Sequence, residues 1–167
     1  MDSEKETIVT NDSLIQLVTF KIADEEFGVD ISAVREINRT MRMTKLPNSP
    51  AFVDGIIDLR GRVIPIIDMR KLLGMERREP DKDTRIIVVE HDDKMVGLVV
   101  DAVKEVLKIP NSVIDAPPEI ASRIGSNIIK SVGRLESRLL ILIDNDTLFT
   151  TMNIEEPCAQ SSAVAAL

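Results

Sequence analysis

Apolar residues fall in blocks of strand length, separated by short polar or glycine-bearing turns. The richest are "LVTFKIADEEFGVDISAVREI" (17–37), "GIIDLRGRVIPIIDMRKLL" (55–73), "IIVVEHDDKMVGLVVDAVKEV" (86–106) and "LLILIDNDTLF" (139–149). Ile and Val dominate them, and β-branched side chains favour strands. In the second block, two strands' worth of Ile, Val and Leu are interrupted by Arg60-Gly61-Arg62. Either turn chemistry or a binding site has to explain arginines in so apolar a stretch.

The blocks repeat. A shift of 69 positions lays 17–37 on 86–106 without a gap, matching Gly28 with Gly97, Val34 with Val103 and Glu36 with Glu105. A shift of 76 lays 56–73 on 132–149, matching Arg62 with Arg138 and Asp68 with Asp144. Each copy reads as a strand, a polar turn (Ala23 to Glu26; His91 to Lys94) and a returning strand, which is the pattern of a hairpin. Then Ile31, Val34 and Ile37, at three-residue spacing, predict about one helical turn. A proline-bearing loop leads to a second hairpin, after which Asp68 or Asp144 is placed to cap a short helix. Each unit thus supplies about five short strands. Units of roughly 65–75 residues are barely large enough to bury a core alone, so they should pack together or share strands. The expectation is a mainly β protein of two small barrels in one globule, with a first unit at about 14–75 and a second at about 82–150. Residues 1–13 read as a flexible, polar leading segment, and 151–167 as a small-residue tail that is either flexible or a short frayed helix.

Composition narrows the chemistry. With 44% apolar residues but 2% aromatics, and neither Trp nor Tyr, the core must be aliphatic. A net charge of −7 argues against general attraction to nucleic acid or anionic lipid. Binding of single-stranded nucleic acid also needs stacking aromatics, and of four Phe, Phe20, Phe27 and Phe149 fall at core positions. The charge is uneven: 60–78 and 35–45 are locally basic. No apolar run approaches the ~20 residues of a membrane span, so a cytoplasmic protein without direct membrane insertion is expected. Cys158 is the single cysteine and His91 the single histidine, which leaves no zinc or nucleophile–base set. Asp54, Asp58 and Asp68 read as solvated turn residues or caps, scattered by strand alternation. No phosphate-binding glycine motif occurs. Neither cofactor nor metal is expected, and the function left over is protein recognition.

The order "FKIADEEFGVDISAVREI", "LPNSPAFVDGIIDLRGRVIPIIDMRKLLG", "MVGLVVDAVKEVLKI" and "LLILIDNDTLF" closely resembles the CheW coupling proteins of bacterial chemotaxis over residues 14–150. The phrase "P-x-F-x-x-G-I-x-x-L-R-G-x-V-I-P-I-I-D" is specific to that family and to the homologous regulatory domain of CheA kinases. The chain's length points to the free-standing adaptor. The resemblance implies two SH3-like barrels and a non-enzymatic scaffold, monomeric when free, joining the cytoplasmic tips of methyl-accepting chemoreceptors to the regulatory domain of a CheA-type histidine kinase. It would be recruited to membrane-associated receptor arrays; coupling in a chemosensory-like pathway with another output is the alternative. By resemblance, receptor contacts fall on Ile31, Val34, Glu36, Ile37, Gly55, Arg60 and Gly61, and kinase contacts on Pro118, Glu119 and Ile120, where the family's "A-P-E-F" reads Pro117-Pro118-Glu119-Ile120. Val34, Ile37 and Ile57 would line a groove between the barrels, although recurrence of Val34 and Ile37 as Val103 and Val106 equally suits core positions. Arg60-Gly61 becomes Glu136-Ser137 in the second copy, so the fold does not require an arginine at that turn.

Overall fold

The structure is a computed structural model that describes residues 13–116 and 128–151. The first repeat forms β1 (Leu14–Ile22), β2 (Glu25–Asp30), β3 (Val34–Arg39), β4 (Val53–Leu59) and β5 (Arg62–Asp68), followed by the short helix α1 (Met69–Leu72). The second forms β6 (Arg85–His91), β7 (Lys94–Val100), β8 (Ala102–Pro110), the two-residue β9 (Ile114–Asp115), β10 (Ile129–Leu135), β11 (Arg138–Ile143) and the helix α2 (Asn145–Thr151).

The repeats exchange their first hairpins. One sheet runs β3-β6-β7-β5-β4 and the other β8-β1-β2-β11-β10-β9. Hence β6–β7 of the second repeat completes the sheet of β3, β4 and β5, while β1–β2 of the first completes the sheet of β8, β10 and β11. The two orders superpose under the repeat relation, with β9 as the one addition. Register agrees: Ile66 pairs with Gly97 in one sheet, and their counterparts Leu142 and Gly28 pair in the other.

Burial follows from this exchange. Strands at the centre of each sheet are covered on both faces, and both faces are therefore apolar. Ile86 and Val88 of β6 turn into the interior of their own sheet with Ile57, Ile64 and Ile66, whereas Ile87 and Val89 turn the other way. On β11, Leu140 and Leu142 join Leu17 and Ile109 inside the second sheet, while Ile143 faces outward from it. The outward faces meet. Val18, Phe20, Ile22, Phe27 and Val29 from one sheet pack with Ile67, Ile87, Val89, Val96, Leu98 and Val100 from the other, and Leu148 and Phe149 of α2 close the cluster. Phe20 and Phe27 stack with centroids 5.9 Å apart. Sixteen buried described residues lie in this shared core, against five and four in the two sheet interiors, so most of the apolar driving force acts between the sheets.

Gly97 owes its type to packing rather than to backbone conformation. A Cβ on Gly97 would sit 2.5 Å from Ile66 Cδ1 and 2.9 Å from Ile86 Cγ2. Both predicted caps form: the Asp68 carboxylate accepts from Arg70 N at 3.0 Å, and that of Asp144 from Asp146 N at 3.2 Å. The expected helical turn is shorter than its spacing suggested. Only Ile31–Ala33 is helical, as a 3-10 turn capped by Asp30, and Val34 and Ile37 belong to β3. Pairing with β6 prevails there, with a bulge between Val34 and Glu36.

A polar clamp holds the crossing from β7 to β8. Asp101 accepts from Arg70 Nε (2.9 Å) and Nη2 (2.6 Å), from Arg78 Nη1 (3.3 Å) and from Ala23 N in the β1–β2 turn (2.8 Å). Burial raises the carboxyl's pKa, but the bonds from Arg70 and Ala23 and the charges of Arg70 and Arg78 outweigh it and the net shift is downward. A folded-state pKa below the unfolded value contributes stability above the unfolded pKa of ~3.9, and loses it as pH falls through the folded value. Asp101→Asn should therefore cost about 1.5–3 kcal/mol at neutral pH. Urea unfolding of both proteins should show the difference shrinking as pH drops below about 4.

Candidate functional site

The β4–β5 hairpin turns through Arg60 (φ 54°) and Gly61 (φ 85°), with Leu59 paired to Arg62. Both central residues are left-handed, the two-residue type I′ geometry that favours Asn-Gly. Gly61 suits it, and its N–H donates to Asp58 Oδ1 at 3.0 Å. Arg60 does not suit it, because a long side chain at positive φ is disfavoured. The corresponding Glu136 and Ser137 have no positive φ. In the first repeat, then, an arginine occupies a position where local conformation argues against it.

The sheet curls so that its two ends approach. Thr44, beyond β3, bridges to Ile56 on β4, exchanging hydrogen bonds of 2.9 and 2.8 Å. Gly55 permits that approach, since a Cβ there would lie 2.7 Å from the carbonyl oxygen of Thr44. The hairpin tip thereby reaches β3, where Arg60 Nη1 donates to Glu36 Oε2 at 3.0 Å. Glu36 is held on its other oxygen by Asn38 Nδ2, also at 3.0 Å. The Glu36 side chain is 20% exposed and that of Arg60 is 81% exposed. Nearby, Arg62 donates to the Asp93 carbonyl at 2.8 Å, and Arg35 pairs with Glu90.

Of the residues singled out from sequence, Glu36, Gly55, Arg60 and Gly61 thus converge on one curled edge. Ile37 follows Glu36 along β3 and is 40% exposed, and its counterpart Val106 is 52% exposed, so neither is a core residue. Ile31 and Val34 are partly buried against the shared core. Ile57 must be corrected: it is 4% exposed in the interior of its own sheet and lines no groove. A groove lined jointly by Val34, Ile37 and Ile57 therefore does not form, because strand alternation sends Ile57 inward. Pro118, Glu119 and Ile120 lie outside the described residues.

Sequence reasoning missed Asn38, whose role depends on the curl of the sheet and has no signature in spacing. Two other readings also change. Asp54 is mostly buried beside Lys71 (3.8 Å), with its pKa raised by burial and by Asp68 against the charges of Lys71, Arg77 and Lys45. His91, read as the start of a polar turn, is half-buried at the end of β6, where it contacts Asp146 at 2.8 Å and packs on Phe149. Among the described residues no cluster of metal-ligating side chains is present.

The CheW-like domain family matches residues 16–152. A chemotaxis protein CheW of Rhizobium meliloti is 40% identical over 134 residues, 80% of this chain and 86% of that protein. One from Klebsiella aerogenes is 34% identical over 136 residues, covering 81% and 82%. The crystal structure of the scaffolding protein TtCheW from Thermoanaerobacter tengcongensis superposes with a TM-score of 0.74 at 37% identity, covering 78% of this chain and 89% of that one. The two curled sheets are SH3-like subdomains of that architecture.

The geometry makes Gly55 a closure residue. Gly55→Ala should displace the Thr44 segment and lower Tm by several degrees, an overpacking cost of about 1–3 kcal/mol. Thermal unfolding, with amide shifts of Thr44 and Ile56 read by NMR, checks this.

Proposed function

The chain belongs to the CheW family and is a chemotaxis adaptor, and on that premise we propose that it joins the cytoplasmic tips of methyl-accepting chemoreceptors to the regulatory domain of a CheA-type histidine kinase. It does so without catalysis of its own. Arg60 carries the proposal: a cation held at a conformation unfavourable to it, at an exposed tip, where the second repeat has a glutamate. A position that costs the fold something and is not needed by it is explained by docking.

Glu36 occupies one N–H of Arg60 and restrains its direction. The guanidinium remains largely exposed, with further donors for a carboxylate on a receptor helix. Ile37 alongside offers an apolar contact, and Ile31 and Val34 support β3 from beneath. Glu36 acts here as a positioning residue. The intramolecular pair, formed by a mostly exposed arginine, contributes ~0–1 kcal/mol to stability. Kinase binding is assigned by family resemblance to Pro118, Glu119 and Ile120 of the second repeat. No helix among the described residues is long and apolar enough to cross a membrane, so attachment to receptor arrays would come through the partners. The named relatives are chemotaxis proteins, which favours this reading over coupling to another output.

Mixing the protein with a CheA-type kinase and a receptor-tip fragment should yield a ternary complex at micromolar concentration with altered kinase autophosphorylation; absence of that complex contradicts the proposal. Arg60→Asn separates site from turn. Asparagine suits the left-handed position, so Tm should hold or rise slightly, while receptor affinity falls roughly 5- to 150-fold, on the order of 1–3 kcal/mol. Arg60→Glu should abolish receptor pull-down with Tm changed by only a few degrees, and a collapse of stability would make the arginine structural.

A further inference from the structure

Apart from the receptor edge, an open cleft of about 580 Å³ lies between the 40–53 segment, α1 and the 77–80 segment. Arg42, Lys45, Lys71 and Arg77 line it, with Asp54 as the one carboxylate among its lining residues. Four cations against one anion is a local inversion on a chain whose net charge is −7. Lys71 is engaged with Asp54, whereas Arg42, Lys45 and Arg77 have no carboxylate within salt-bridge distance among the described residues. Clustered like charges repel one another and destabilise the fold slightly, a cost that binding of an anionic partner relieves. Met41 and Met43, packed on the first sheet's interior, add flexible thioether side chains to the lining, which adapt readily to an apolar ligand residue.

We propose that this cleft docks an extended acidic peptide segment of a partner protein, with carboxylates spaced around an apolar residue. The charge layout selects an extended ligand over a compact anion. Asp54, 15% exposed, projects negative charge into the cleft, so a phosphate at its centre would meet repulsion, while carboxylates spread along the lining would meet Arg42, Lys45 and Arg77. Nor is there a helix terminus to cradle a phosphate, since α1 is four residues long and capped by Asp68. Burial and Asp68 raise the Asp54 pKa despite three nearby cations, so its charge is held at a cost that lessens if the carboxylate is removed. The site is independent of the Arg60 edge, and either proposal can fail without the other.

The test is fluorescence anisotropy of the full chain with a labelled synthetic peptide in which glutamates flank leucines. A matched peptide with glutamine for glutamate serves as the comparison. The acidic peptide should bind, and weaken at least about fivefold between roughly 50 and 300 mM salt, as screening requires. Lys45→Gln combined with Arg77→Gln should weaken it at least about fivefold, while Lys130→Gln, at an exposed position on β10, leaves it unchanged. Asp54→Asn should strengthen it about two- to threefold, an effect of a sign that structural damage would not produce. Equal binding of the glutamine peptide, insensitivity to the paired substitution, or weaker binding by Asp54→Asn would each overturn the proposal. So would efficient displacement of the peptide by low-millimolar inorganic phosphate, which would mark a compact-anion site.

Discussion

Two hairpins, β1–β2 and β6–β7, are each covered on both faces, and everything else is arranged around that fact. Each hairpin is the inner part of a sheet whose remaining strands come from the other repeat. One face fills the interior of that sheet, and the other meets its counterpart across the shared core. A fully buried Val, Leu, Ile or Phe is worth about 1.5–3 kcal/mol, so the described core residues outweigh any one ion pair by a wide margin. Neither repeat can complete its sheet alone. The exchange turns two undersized units into a single cooperative body.

That body fixes the geometry of the edge that carries Arg60. Because the five-stranded sheet curls, the β4–β5 tip reaches β3, and Arg60 meets Glu36. The pair is too exposed to hold the sheet closed; closure rests on the Thr44–Ile56 bridge, on the space left by Gly55 and on the packing of Ile57 beneath it. The charged pair is thus a product of the curl, free to be tuned for recognition. The same curl, together with the basic 40–53 segment and α1, forms the cationic cleft. Cooperative packing at the centre and exposed charge at the rim assign stability and the proposed docking to different residues.

Much of the fold was legible because it is periodic. The two gapless shifts predict the strand inventory, the paired glycines and both helix caps, and the apolar run "IIVV" is what a strand buried on both faces requires. The exchange of hairpins was not legible, because a repeat looks the same whether its hairpin pairs within its own unit or with the other. The three-residue spacing of Ile31, Val34 and Ile37 misled for a related reason: pairing with β6 outweighed a weak helical pattern. At the site, Arg60 stood out by its difference from Glu136, and the structure adds its left-handed backbone. Asn38 and the inward turn of Ile57 depend on sheet curvature and strand alternation that spacing alone did not determine.

If the shared core makes the two sheets one unit, they must lose structure together. Native-state hydrogen exchange, followed with increasing denaturant, reads this directly for the central amides of β1, β2, β6 and β7. All four strands should converge on the same opening free energy, equal to that of global unfolding. Release of one sheet's amides at lower denaturant, with the other still protected, would contradict it.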